Sequence, residues 1–526
     1  MNRATDSLSA LQRPTRVRYG VLGFACALSM ITYLDRVCFA TVAPYIGKEF
    51  DLSKQQLGWL FTAFALAYAM FEVPSGWMGD VFGPRRTLIR IVLWWSLFTA
   101  LTGAIFPYPS WPWLAFAAMF LVRFLFGMGE AGAYPNIARS FHNWFPFEER
   151  GFAQGTVWMA GRFAGGLSSF AVLALMIHTM SSSGEPVVLW RHAFWIFGGL
   201  GVLWCAIFWW WFRDRPEQHP RVNAAELAFI RGSRPIVSST DKRGSAEVVV
   251  EKSTDITTGA APETGVQQHP VAISAAARAA AIAAEPNPQK ALDPFTAEEE
   301  ILAQEGESHA NVPWLRLITN VNLWSLCLMY FCSSYGWYFN ITWLPKYLNT
   351  IYGVSQETHG FWTMSLLSGA PLLLGSLACL FGGLLTDAFI RRTGDRKWGR
   401  RLFGALGHGV CALCYFASLG ASSPWLFVLA IALASFWNDL TMGAAWASCI
   451  DIGRHYSGIV SGCMNTIGNL GGAAAGITTG LVLDYFEPHG WTVNFLIFGG
   501  VYVAAMFLWL RFDATKAIVP EKIENR

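Results

Sequence analysis

Four ionisable residues sit in two otherwise apolar stretches: Asp35 and Arg36 in YLDRVCFATVAPYI, and Arg123 and Glu130 in FLVRFLFGMGEAGAYPN. Arg123 and Glu130 are two helical turns apart, so on a helix they project from nearly the same face with about 10 Å of rise between them. Asp35 and Arg36 are neighbours, about 100° apart around a helix, so each needs a partner on another element. The planar fork of arginine binds a carboxylate through two parallel hydrogen bonds and keeps its charge. A carboxyl changes its affinity for a proton when its solvation or a nearby cation changes. The four together suit capture of an anion by Arg36 and Arg123 with proton exchange at Asp35 and Glu130; a fixed set of interhelical salt bridges is the alternative.

The elements that carry them are membrane helices. Of 526 residues, 53% are hydrophobic and 14% charged, against roughly 25% charged in soluble domains. Twelve stretches, at about 17–45, 55–79, 87–106, 112–138, 151–179, 190–212, 319–345, 361–388, 402–420, 424–450, 458–484 and 491–512, approach the ~20 residues that span a bilayer as helix. Arg13, Arg16 and Arg18 precede the first, Arg85 and Arg86 follow the second, Arg139 and Arg150 the fourth, and Arg391, Arg392, Arg396, Lys397, Arg400 and Arg401 the eighth. Positive residues mark cytoplasmic loops, which places both termini in the cytoplasm. The first span is too long and too charged for a signal-peptide core and is expected to be retained.

The chain divides into a cytoplasmic tail (1–16), a six-helix bundle (17–212), a polar, Ala-rich, Pro-punctuated linker (213–316) read as largely disordered, a second six-helix bundle (317–512) and a cytoplasmic tail (513–526). The ten cysteines, including the pair in CALC, lie in or beside spans and read as packing residues. The residues suggest no metal site, nucleophile elbow or phosphate loop, so neither an enzyme nor a nucleic-acid binder is expected. A transporter-like membrane sensor using the linker for signalling is the rival from another class.

The two halves resemble each other. Gly155, Gly161 and Gly165 have the spacing of Gly462, Gly468 and Gly472, and Gly76 to Asp80 in GWMGDVFGPRR parallels Gly383 to Asp387 in GGLLTDAFIRR. Small residues at such spacing let helices approach closely in lipid, and their recurrence argues for two bundles rocking about a shared central site. The loop G-x-x-x-D followed by G-x-R-R resembles the signature of the major facilitator superfamily. YLDRVCFATVAPYI, RFLFGMGEAGAYPN and DRPEQHPRVNAAELAFI narrow the likeness to its anion:cation symporter family.

That resemblance implies an all-α membrane protein of twelve transmembrane helices in two bundles of the major facilitator fold. It also implies that the first and fourth helices face a central cavity, so that Asp35 can meet Arg123, or Arg36 can meet Glu130. The activity implied is proton-coupled symport, across the cell membrane, of a small organic carboxylate such as an aldonate, aldarate or hexuronate. A monomer is expected, with no cofactor beyond the proton. An organophosphate antiporter would need a cation in the seventh span, which has none; an uncoupled anion carrier is a further alternative.

Tyr68 in YAMFEVPSG lies where the resemblance puts a cavity-facing turn, and Glu72, one turn on, reads as a gate contact. Arg162, at mid-depth in the fifth span, either favours a dicarboxylate or larger acid or neutralises an inward carboxylate. Tyr335, Tyr338, Trp446, Asn465 and Asn469 are candidates to hydrogen-bond or cover a polar substrate, with ordinary packing or interhelical bonding as the alternative. Asp439 is a candidate second proton site. Asp80, Arg85 and Arg86, with Asp387, Arg391 and Arg392, are expected to make cytoplasmic contacts that break as the halves rock.

Overall fold

The computed structural model describes residues 13–108, 110–175, 177–180, 186–231, 312–354 and 356–518. In the first half the helices are α1 (Val17–Glu49), α2 (Lys54–Phe82), α3 (Pro84–Ala104), α4 (Pro112–Glu130), α5 (Ala133–Trp144), α6 (Arg150–Leu175) and α7 (Arg191–Trp211). After them come α8 (Ala224–Ile230) and α9 (Trp314–Ile318). The second half comprises α10 (Val321–Thr342), α11 (Leu344–Tyr352), α12 (Gln356–Thr393), α13 (Arg396–Ser418), α14 (Pro424–Leu440), α15 (Met442–Gly453), α16 (Ser457–Tyr485) and α17 (Gly490–Arg511). With α4–α5, α10–α11 and α14–α15 each forming one crossing, the described residues make twelve membrane spans in two sets of six.

Local chemistry sets the helix starts. Ser53 and Gln56 cap each other at the head of α2 (2.8 and 3.2 Å), and Pro84, Pro112 and Pro424 open α3, α4 and α14, where a missing N–H costs nothing. Outward faces are apolar: Leu97, Leu121, Leu203, Leu413 and Leu481 are all more than half exposed, a pattern suited to lipid rather than water. Trp111, Trp113, Trp210 and Trp425 lie exposed near span ends, where indole rings favour the bilayer interface.

The fourth and tenth crossings were expected as single helices and are broken. Gly132 takes φ +91° between α4 and α5, a conformation open to glycine at little cost. A Cβ there would also strike Ser75. The fifth span ends at Leu175, and Ile177–Met180 pairs antiparallel with Pro186–Leu189, in place of the helix expected to reach 179. The eighth runs on to Thr393, so Arg391 and Arg392 lie on α12 rather than in a loop.

The linker is also shorter than expected. Residues 213–231 fold against the first bundle because Glu226 of α8, fully buried, accepts hydrogen bonds at the head of α1: from the Thr15 hydroxyl (2.5 Å), the N–H groups of Val17 and Arg18 (3.1 and 3.2 Å) and the Arg18 guanidinium (3.1 Å). Asn223 bonds Thr15 and the Arg13 carbonyl. Residues 232–311, with the Ala-rich run, lie outside the described residues. At the carboxyl end, the N–H of Asp513 donates to Asn322 (2.9 Å) and that of Ile518 to the carbonyl of Ile452 (2.9 Å), so the start of the tail is tied to the second half.

The halves meet along α6 against α12 and α2 against α16, helices equivalent under the internal repeat. Glu226→Ala is expected to lower the melting temperature of the purified protein by several degrees, since it leaves a buried helix start and a buried guanidinium short of a partner. Glu217→Ala, which removes an exposed pair with Arg231 (2.6 Å), is expected to leave it unchanged.

Candidate functional site

A cavity of about 440 Å³ lies between the two halves, inside the range of roughly 300–1,000 Å³ usual for small-molecule sites. Tyr33 and Arg36 of α1, Phe64 and Tyr68 of α2, and Trp158 and Arg162 of α6 line one wall. Ser333, Ser334, Trp337 and Tyr338 of α10 and Asn465 and Asn469 of α16 line the other. The lining is chiefly aromatic, with two guanidinium groups and a few hydroxyls and amides, a surface that can cover the carbon skeleton of a polar solute and fix its charged ends.

Arg36 reaches Glu130 at 2.5 Å and lies over the Tyr68 ring, 4.6 Å from its centroid. Arg36 Nη2 and Glu130 Oε2 have no hydrogen-bond partner among the described residues, so the pair has donor and acceptor capacity to spare. Of the two pairings expected between the first and fourth spans, this one forms a direct contact. Asp35 and Arg123 lie within electrostatic range of each other, yet neither Asp35 oxygen has a hydrogen-bond partner among the described residues. The Arg123 guanidinium instead lies against the rings of Phe39 (4.0 Å), Phe126 (4.8 Å) and Phe64 (5.2 Å). Contrary to expectation, Arg123 does not line the cavity. Its reach is taken up by that aromatic packing, one layer behind Arg36.

Arg162 lines the cavity and forms an ion pair with Asp439 of α14, so it neutralises a carboxylate of the opposite half. Glu72, fully buried, faces α16: Asn465 donates to it, and Thr466 and Asn469 approach it at 3.4 Å. Both amides thus line the cavity while holding a carboxylate across the interface.

Two of the expected substrate contacts are core residues. Tyr335 points away from the cavity into the second bundle, its hydroxyl 2.6 Å from that of Thr478. Trp446 is wholly buried below the cavity, where its indole N–H donates to Tyr330 (3.2 Å) and its ring packs on Trp158 (5.2 Å) and Tyr134 (5.8 Å). Tyr134 and Trp158 stack at 4.5 Å. This aromatic block, drawn from both halves, forms a floor. Tyr134, Trp158, Trp337 and Tyr33 were missed in the sequence because aromatic residues are numerous across the spans, 15% of the chain.

Beneath the floor the halves seal the cytoplasmic side through two matched clasps. Asp80 of α2 accepts from the N–H groups of Gly458 (2.9 Å) and Ile459 (2.8 Å) at the head of α16, with Arg139 at 3.3 Å. Asp387 of α12 accepts from Gly151 (3.1 Å) and Phe152 (2.6 Å) at the head of α6, with Arg400 at 3.2 Å. Each carboxylate therefore binds the positive end of a helix in the opposite half. Glycines permit the approach: a Cβ on Gly76 would strike the Gly458 carbonyl, and one on Gly383 that of Gly151. Asp451 adds a third link, to Arg150 (3.1 Å) and Arg400 (3.1 Å).

Of the expected gate arginines, Arg391 donates across the interface to the Glu148 carbonyl (3.0 Å). Arg85 does not cross. Its N–H bonds Asp214 (2.8 Å) and its guanidinium covers Trp209, all within the first half. Arg86 and Arg392 are exposed. Burial raises the Asp214 carboxyl above its ordinary value, while the Arg85 N–H and the guanidinium groups of Arg85, Arg139 and Arg86 oppose the rise. The clasp arginines are instead Arg139 of α5, Arg150 of α6 and Arg400 of α13.

A family model described as Major Facilitator Superfamily matches residues 25–476. The chain is 28% identical over 498 residues to a probable sulfoacetate transporter of Cupriavidus necator, covering 93% of each. It is 25% identical to a probable galactarate/D-glucarate transporter of Escherichia coli K12, over 92% of this chain and 91% of that one. A D-galactonate transporter of Escherichia coli O6:H1 is 26% identical, over 94% of both. Among solved structures, the proton:xylose symporter XylE aligns with a TM-score of 0.61 at 12% identity, over 95% of this chain and 98% of that one.

The double variant Asp80→Asn, Asp387→Asn is expected to loosen the cytoplasmic seal. In a background lacking native cysteines, a cysteine at Ser334 on the cavity wall should then react with a cytoplasmic-side thiol reagent at least about tenfold faster, given the strength of hydrogen bonds to charged acceptors.

Proposed function

This chain belongs to the Major Facilitator Superfamily and is a multi-pass membrane transporter, and we propose that it is a proton-coupled symporter of small organic acids. The observation that carries this reading is Arg36, a cation on the cavity wall held by one buried carboxylate, Glu130. Organic-anion transport is the activity in the names of its relatives. Sugar acids and smaller sulfonated acids are the substrates in view.

Coupling follows from competition for Arg36. While Glu130 is ionised it occupies the guanidinium, and an arriving carboxylate must displace it. A proton on Glu130 removes the negative charge and frees Arg36 for substrate. Proton and anion therefore raise each other's affinity, reciprocally and by the same factor. Arg123 and Asp35, behind this pair, act through the field rather than by touching substrate. Arg123 holds the local balance of charge, and Asp35 is a further place for a proton. With Arg36 bound to substrate and Glu130 neutral, the clasps at Asp80 and Asp387 open in turn and the halves rock to expose the cavity inward.

The second wall argues against an organophosphate antiporter. Its α10 residues are Tyr330, Ser333, Ser334, Trp337 and Tyr338, with no cation among them. A trianionic or dianionic phosphate ester held from both facing helices would need one there.

In proteoliposomes offered D-galactonate, D-glucarate and sulfoacetate, Arg36→Gln is expected to abolish uptake of whichever is carried. Glu130→Gln should retain counterflow exchange but lose accumulation driven by a proton gradient, and its substrate affinity should no longer weaken as pH rises. Asp35→Asn should impair accumulation more than exchange. Net accumulation by Glu130→Gln under a proton gradient alone would show that this carboxyl is not the coupling group.

A further inference from the structure

Arg162 is the second cation on the cavity wall, and its place in the internal repeat is that of Asn469 in the other half. Its guanidinium pairs with Asp439 across the plane between the halves. Arg162 Nε has no hydrogen-bond partner among the described residues, and the Trp337 ring lies 4.9 Å from the guanidinium carbon. Gly375 of α12 lies against the pair, where any Cβ would run into the Asp439 carboxylate. The contact thus occupies space left open by a glycine on a third helix.

The repeat gives the pair its meaning. Helices α5 and α15 have the same length, twelve residues, and follow the breaks in the fourth and tenth crossings. Aligning them residue for residue sets Glu130 against Asp439. Each half therefore carries an acid at or one residue before the end of the first part of its broken helix, and each acid is held by an arginine on the cavity wall: Glu130 by Arg36, Asp439 by Arg162. Tyr33, Arg36 and Arg162 all line the one cavity, so both arginines open onto the same space.

Resting on the reading of this cavity as an organic-anion site, we propose that Arg162 is a second anion-binding group. The preferred substrate is then a dianion, whose two acid groups displace Glu130 from Arg36 and Asp439 from Arg162. Replacement matters here, because a buried guanidinium stripped of its partner is costly whereas one handed from carboxylate to carboxylate is not. A monoanion satisfies one arginine and leaves the other pair closed. A dianion opens both, and each released acid becomes free to hold a proton, so two entering negative charges are matched by two protons. Asp439 is then a coupling acid equivalent to Glu130.

Two matched pairs of probes test this on the purified full-length protein. D-Glucarate and D-gluconate share six carbons and differ at one end, carboxylate against hydroxymethyl. Sulfoacetate and 2-hydroxyethanesulfonate differ in the same way. By titration calorimetry, the dianion of at least one pair is expected to bind at least about tenfold more tightly than its monoanion, the effect of one charge-assisted contact. Arg162→Gln should erase that preference, weakening the dianion at least about tenfold more than the monoanion. Asp439→Asn should strengthen dianion binding by removing the internal competitor, a readout that stands even if Arg162→Gln does not fold. Monoanions binding as tightly as dianions, or Asp439→Asn weakening the dianion, would overturn the inference and make the pair a fixed clasp between the halves, with organic-acid transport still standing. Failure of all four probes to bind would overturn the organic-acid reading as well.

Discussion

A charged side chain at mid-bilayer costs about 2.5–3.5 kcal/mol on insertion scales unless it faces protein or water, and apart from Asp35, whose oxygens have no hydrogen-bond partner among the described residues, the acids buried in these spans are held by other groups. Glu130 has Arg36, Asp439 has Arg162, Glu72 has the side chains of α16, and Asp80 and Asp387 have the first-turn N–H groups of helix starts. The last four of these contacts join one half of the molecule to the other. The interface between the bundles is accordingly polar at the levels where charge is buried and glycine-lined where backbones touch. Desolvation consumes much of the attraction in a buried pair, which makes such pairs a weak glue. Their value is that a partner can be exchanged at small net cost, which is what the proposed alternation of the two halves requires.

How far the sequence foretold this depends on whether a feature is local. The twelve spans, the basic loops and the glycine spacing shared by the halves are local features; the spans reappear as helices, and the glycines as close helix contacts, across the halves at Gly155 and Gly462 and within one half at Gly161 and Gly468. The link between Arg36 and Glu130 could be anticipated once the first and fourth spans were taken to share a cavity. The partner of Arg162 could not, because it depends on which face of α14 meets α6, and that is decided by packing over the whole interface. Arg123 and Glu130 do share a helix two turns apart as expected. Phe39, Phe64 and Phe126 crowd the guanidinium of Arg123 away from the cavity. Tyr335 and Tyr338 differ by three residues on one helix, and only the latter meets the cavity. A small rotation, invisible in composition, separates a lining residue from a core residue.

The same reasoning accounts for the breaks. Ala131 and Gly132 read as two more small apolar residues in a long span, and nothing in periodicity marks the turn there. The left-handed conformation of Gly132 ends α4 just after Glu130 and lets α5 start afresh. Among the residues missed, Arg139, Arg150 and Arg400 were visible as loop charges that orient the chain, but their second task as clasp partners depends on carboxylates in distant segments.

The two ends of the described chain are each stitched to their own bundle: Thr15 to α8 under the first half, Asp513 and Ile518 to Asn322 and Ile452 in the second. Fluorophores attached close to those stitches would each report on one half of the molecule. Energy transfer between them would read the proposed movement of one half against the other directly, without disturbing a single residue of the interior.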